Sequence, residues 1–191
     1  SNADDAGNFP ALSDAMLASY KPSNYNVQKA FLGIDGDAAA LRPIITAAIN
    51  GGDTNNAGVS LVNFFGHGNE LQWAHENLLY VSTVRTLTNA SKLPFIVAMD
   101  CLDSNFLHPT SNLTSLGETF LLNPSGGGIA VYGAAGQSVA TGHEWLDRGL
   151  LRSLFHNGSK TLGQAVITSK LSLWAMGNYL ELMDTYVYLG D

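Results

Sequence analysis

Leu93-Pro94-Phe95-Ile96-Val97-Ala98-Met99-Asp100-Cys101 decides the fold. It is an apolar run with the length and β-branched, aromatic character of a buried strand, and it closes on the chain's only cysteine. Upstream, Val59-Ser60-Leu61-Val62-Asn63-Phe64-Phe65 is a second such run, ending in Gly66-His67-Gly68. Strands that are apolar throughout belong to parallel sheets covered on both faces, and ligands of open α/β sheets sit outside the strands' carboxyl ends. The two runs therefore predict a thiol and an imidazole delivered to the edge where chemistry takes place.

Outward from these runs, strand and helix patterns alternate. A helix is predicted over 12–20, with Ser13 and Asp14 as its N-cap pair, and a strand over 26–32. A second helix covers 37–50 and is closed by Gly51-Gly52; Pro43 places its regular part from Leu41 or Arg42 onward. A short helix over 81–88 and a helix over 115–122 flank the cysteine run, the latter stopped by Asn123-Pro124. Gly126-Gly127-Gly128 leads into a strand over 129–132, helices follow over 144–155 and 162–179, and 185–189 reads as a last edge strand. This alternation gives a single α/β domain with a mostly parallel sheet and helices on both faces.

Composition agrees and excludes other classes. Of 191 residues, 46% are hydrophobic and 13% charged, which builds a sizeable core rather than a disordered chain. The net charge of −7, without a basic stripe, argues against nucleic acid as a partner, because phosphate binding needs clustered Lys and Arg. No apolar stretch approaches the roughly 20 residues of a membrane span. One cysteine excludes internal disulfides and leaves the compartment open. Ser1-Asn2-Ala3 reads as a cloning remnant, which leaves 4–191 as the domain.

A cysteine at a buried strand end is most often inert core filling, and a histidine in a Gly-His-Gly turn is as often structural as functional. The pair together carries more. Thiolate chemistry needs a base or imidazolium near the sulfur, and acyl transfer needs backbone N–H groups aimed at the developing oxyanion. A glycine after the histidine turns its amide toward a substrate, and the cysteine's own amide is the other natural donor.

The segments around the pair sharpen this reading. Leu61-Val-Asn-Phe-Phe-Gly-His-Gly-Asn-Glu-Leu-Gln-Trp73 resembles the catalytic-histidine segment of the gingipain-type cysteine peptidases, and residues 87–106 resemble the segment that carries their nucleophile. Ser115-Leu-Gly-Glu-Thr-Phe-Leu-Leu, the glycine run before Ile129-Ala-Val-Tyr, Thr161-Leu-Gly-Gln-Ala and the terminal Met183-Asp-Thr-Tyr-Val-Tyr-Leu-Gly-Asp191 match the family in order. The resemblance implies a caspase-like three-layer sandwich and a dyad of His67 as general acid/base with Cys101 as nucleophile. Gly68 and Cys101 amides would form the oxyanion hole. The substrate is then a polypeptide, cleaved through a thioester, with no metal or organic cofactor. Asp4 or Asp5 falls where the family orients its histidine. Asp14 falls where arginine-specific members hold the side chain preceding the scissile bond, with simple complementation of a helix N-terminus as the other reading. Trp73 and Asp103 are further candidates for the substrate pocket, with core packing the alternative for Trp73. A bacterial location outside the cytoplasm, at the cell surface or secreted, follows from the resemblance alone.

Departures from the family set the alternatives. Asp100 stands where relatives carry a small or neutral residue, and a carboxylate there favours the neutral thiol unless strand alternation turns it away. Asp103-Ser104 replaces the commoner Asn-Gly, and the family's upstream strand and subdomain are expected to precede Asp4, which makes the chain an excised piece needing other domains of a parent protein. These features favour a non-catalytic interaction domain as the rival; a sortase-like transpeptidase would use the same dyad. His143-Glu144-Trp-Leu-Asp147 lacks the second histidine of a helical zinc motif and reads as a solvated helix start. His75, His108 and His156 read as ordinary surface residues.

Overall fold

The cysteine and histidine runs lie side by side in the main sheet. The structure, a computed structural model, describes residues 7–52, 57–107 and 113–190. Its elements are α1 (Phe9–Tyr20), α2 (Ala38–Asn50), β1 (Leu61–Phe65), β2 (Gly68–Asn69), β3 (Gln72–Trp73), β4 (Leu79–Tyr80), α3 (Val81–Val84), β5 (Phe95–Met99), α4 (Leu116–Leu122), β6 (Ala130–Ala134), α5 (Ala140–Phe155), α6 (Leu162–Met176), α7 (Leu182–Thr185) and β7 (Tyr186–Gly190). The main sheet has the order β1-β5-β6-β7; the first three strands are parallel and β7 returns antiparallel to β6.

Strand periodicity divides the core into two layers. Phe95, Val97 and Met99 face one side, with Ala130, Tyr132 and Ala134, beneath Phe9 and Met16 of α1, Leu146 and Leu150 of α5, and Ala165 and Leu173 of α6. Ile96, Ala98 and Val131 face the other, against Leu116 and Phe120 of α4, Val81 and Val84 of α3, and Ile49 of α2. The expected mixed α/β sandwich, with a mostly parallel sheet between helical layers, is borne out. No helix among the described residues is long and apolar enough to cross a membrane.

One polar tie crosses the core. Asn63 Nδ2 of β1 donates to both carboxylate oxygens of Asp147 on α5, at 3.1 and 3.0 Å. The glycine run before β6 has a steric cause at Gly127. Its φ is +109°, a side chain there would overlap the Phe120 carbonyl, and Asn89 pins its peptide by accepting from its N–H and donating to its carbonyl.

Several boundaries differ from the sequence reading. Helix α1 starts at Phe9, because Asn8 rather than Ser13-Asp14 caps it, accepting from Ala11 N at 3.1 Å. Helix α2 starts at Ala38 with Asp37 as cap, so Pro43 lies inside the helix and not at its entry. Residues 26–32 form no strand, only the bridge Leu32–Gly36, since no strand lies alongside to complete their hydrogen bonds. Helix α5 begins at Ala140, one turn earlier than expected, and β2, β3 and β4 form a small antiparallel sheet that the sequence did not announce. The expected edge strand at the end is β7.

Candidate active site

β1 and β5 pair in register, with Phe65 opposite Met99, and the Gly66 N–H donates to the Met99 carbonyl at 3.3 Å. His67 and Cys101 therefore leave adjacent parallel strands at the same carboxyl edge, and each is partly exposed. Directly after the cysteine the chain turns sharply. Leu102 adopts φ +65°, a left-handed conformation that costs a residue with a Cβ about 1 kcal/mol. Backbone hydrogen bonds hold the turn: Leu102 N to Gly136 O, Ser104 N to Ala134 O and Gly117 N to Asp103 O. The thiol is presented by a loop clamped to the end of β6 and the start of α4.

Gly68 lies against this loop. A methyl group added there would overlap the Asp100 carboxyl and stand 2.9 Å from the Cys101 carbonyl oxygen. Only glycine permits this approach, which brings the Gly68 backbone beside that of Cys101, the two positions expected to supply oxyanion donors.

Asp100 is fully buried, and neither of its carboxyl oxygens receives a hydrogen bond among the described residues. An ionised carboxylate in that setting would be strongly disfavoured. Burial raises its pKa well above the ordinary carboxylate value, and the neighbouring Asp103 and Cys101 push it the same way. Asp103 accepts from Trp73 Nε1 at 3.1 Å and from Ser104 Oγ at 3.0 Å. Burial lifts its pKa to about 6, while the donors from Trp73, Ser104 and Asp100 hold it down. Burial and these two neighbours therefore favour the protonated form of Asp100. In that form it presents no negative charge to the sulfur, which eases the concern its position raises in the sequence.

The thiol's own hydrogen bonds run to the loop after β6. Cys101 Sγ lies 3.4 Å from the Ser138 carbonyl oxygen and 3.2 Å from Ser138 Oγ. Ser138 Oγ lies 2.7 Å from His143 Nε2 and donates to the Asp100 carbonyl at 2.5 Å. His143 is 2% exposed, so the solvated helix start expected there is corrected: the first turn of α5 points this ring inward. Burial lowers its pKa to about 4; the Met99 carbonyl opposes that shift and His67 reinforces it. No hydrogen bond joins His67 directly to Cys101 among the described residues; the His67 ring packs edge-on against Phe9 at 5.6 Å and lies 6.3 Å from that of His75.

The remaining expected residues separate. Asp4, Asp5 and His108 lie outside the described residues. Asp14 sits inside α1 rather than opening it, and pairs with Lys29 at 2.6 Å with both side chains about half exposed. Trp73 and Asp103 are buried, at 1% and 0% exposure; Trp73 forms part of the wall of a hollow along β1, and Asp103 does not. Trp73 stacks on Phe64 at 4.6 Å while its N–H holds Asp103. A smaller hollow of about 320 Å³ lies between the α1 entry and the start of α5, lined by Gly7, Asn8, Ala11, Leu12, Ala140, Thr141 and Glu144. Glu144 binds Arg148 at 2.6 Å. The larger hollow, of about 730 Å³, runs along β1 and residues 24–32; neither hollow is lined by His67, Cys101 or Asp103. Sequence reasoning passed over Ser138 and set His143 aside as part of a solvated helix start. The signal that finds them is their place just beyond β6, the third parallel strand to end at this edge.

Comparison with known proteins agrees with this geometry. The family model of peptidase family C25 matches residues 2–191. Gingipain R2 of Porphyromonas gingivalis (strain ATCC BAA-308 / W83) is 26% identical over 151 residues, covering 73% of this chain and 20% of the relative. Gingipain R2 of Porphyromonas gingivalis strain ATCC 33277 is 42% identical over a 55-residue segment, 29% of this chain and 7% of the relative. The crystal structure of the Arg-specific cysteine proteinase gingipain R superposes with a TM-score of 0.75 at 20% identity, over 95% of this chain and 40% of that one. The chain thus spans about a fifth of the length of the curated relative it matches over most of its own length.

Proposed function

The chain belongs to peptidase family C25, and from that premise we propose that it is a cysteine endopeptidase domain cleaving polypeptides through a thioester acyl-enzyme. His67 takes the thiol proton as Cys101 Sγ attacks the peptide carbonyl carbon. The oxyanion is held by the Gly68 and Cys101 N–H groups. His67 then returns the proton to the leaving amine as the C–N bond breaks, and water, deprotonated by His67, releases the acid and the thiol. The observation that carries this reading is the in-register pairing of β1 with β5, which ends both strands at one edge and sets Gly68 against Cys101.

Arg or Lys before the scissile bond is the finer part of the reading. Asp14 is bound by Lys29 and Glu144 by Arg148, so neither acid gives it direct support. A place outside the cytoplasm rests on the family alone. The rival, a non-catalytic domain, has one observation in its favour: the thiol bonds to Ser138 and not to His67. Hydrolysis of a panel of fluorogenic peptides decides between them. Cys101→Ala is expected to abolish turnover, and His67→Ala to lower kcat by roughly 10²–10⁴-fold. Equal turnover by the wild type and Cys101→Ala would overturn the proposal. Added amine that diverts product from acid to amide would assign transpeptidation instead.

A further inference from the structure

Three groups crowd around the Ser138 hydroxyl, and they differ in what they can give. The Asp100 carbonyl, 2.5 Å away, can only accept, so in this arrangement the single hydroxyl proton belongs to it. His143 Nε2 at 2.7 Å then donates to Oγ, which fits a ring that burial keeps neutral. The thiol at 3.2 Å meets Oγ as an acceptor, and its other neighbour, the Ser138 carbonyl at 3.4 Å, is an acceptor too. The resting sulfur therefore faces oxygen lone pairs, which suit S–H and oppose S⁻.

The same cluster contains the means to reverse this. Tyr186 Oη also donates to the Asp100 carbonyl, at 3.2 Å. If the Ser138 hydroxyl turns away, that buried acceptor keeps a partner, and Oγ still receives the His143 N–H. Turning the hydroxyl therefore leaves the Asp100 carbonyl and Ser138 Oγ each with a partner, while His143 Nδ1 has none in either setting among the described residues.

Building on the peptidase reading, we propose that Ser138 is a positioning residue for the nucleophile, with a hydroxyl that rotates from the Asp100 carbonyl to the Cys101 thiolate when the thiol ionises. His143 keeps Ser138 Oγ paired and Tyr186 keeps the Asp100 carbonyl paired in both settings. No bond to carbon is made or broken in this step. The thiol proton leaves to His67 or to water, the Ser138 proton stays on Ser138, and a charge-assisted O–H···S⁻ hydrogen bond replaces a neutral O–H···O one. The titratable groups around the sulfur are His67 after β1, Asp100 and Asp103 on its own loop, His143 on α5 and Tyr186 on β7. Burial and the neighbouring acids keep the Tyr186 phenol protonated, as the device requires.

The test is the rate of Cys101 alkylation by iodoacetamide across pH, with folding checked by circular dichroism. Ser138→Ala is expected to move the midpoint of the profile up by about one pH unit, a tenfold loss of alkylation on its lower limb. Ser138→Thr, which keeps the hydroxyl, is expected to restore the wild-type midpoint, and His143→Gln, which keeps an N–H donor, to stay close to it. A Ser138→Ala midpoint equal to that of the wild type overturns the proposal, as does a Ser138→Thr profile that follows Ser138→Ala. His67→Ala in the same series reports on the peptidase reading separately: an unchanged profile there defeats the dyad.

Discussion

At the scale of single residues, the site is governed by which groups carry charge. Asp100 adjoins the nucleophile in sequence, yet it is buried, its carboxyl has no hydrogen-bond partner among the described residues, and burial favours its neutral form. Asp100→Asn is therefore expected to shift the pH midpoint of Cys101 alkylation by no more than a few tenths of a unit. Asn keeps the shape, the neutrality and a donor toward Asp103. A marked shift to lower pH would mean that Asp100 is ionised in the wild type. His67 and Cys101 were legible in the sequence because strand ends and glycine punctuation are local signals. The neutrality of Asp100 was not legible, since it depends on Gly68 and Asp103 closing over it. The roles of Ser138 and His143 were hidden for the same reason: Ser138 meets the thiol only through the tertiary fold, 37 residues after Cys101, and His143 reaches it only by way of Ser138.

At the scale of elements, α5 is tied to β1 through Asn63 and a carboxyl that burial raises to about 7. The unfolded-state value is near 3.8, so the folded protein holds a proton that the unfolded chain releases between pH 4 and 7. The stability this group confers is complete below about pH 4 and is lost as pH rises through 7. Asp147→Asn removes that loss. Its advantage in urea unfolding is expected to grow from pH 4 to 7 and level off above, reaching at most a few kcal/mol. An advantage independent of pH would contradict the buried-acid account. The apolar runs made β1, β5 and β6 readable, because full burial leaves few polar residues to blur them. Helix starts were read less well: Asn8 and Asp37 cap earlier than the apolar pattern implies. The two-residue strands β2, β3 and β4 are too short to carry a period.

At the scale of the whole molecule, the sheet acts as a frame that ends three parallel strands at one edge. From that edge His67, Cys101 and Ser138 leave on successive loops, with helical layers fixing the backbone behind them. The order of motifs made this architecture legible before any geometry, whereas the pocket was not: Asp14, Trp73 and Asp103 turned out to be engaged elsewhere. The central claim is that this frame presents Cys101 as an acylating nucleophile. Intact mass spectrometry after brief mixing with an activated peptide ester tests it most directly. The account predicts one acyl group per chain, removed by hydroxylamine and absent from Cys101→Ala. Absence of an adduct, or an adduct that persists in Cys101→Ala, would contradict it.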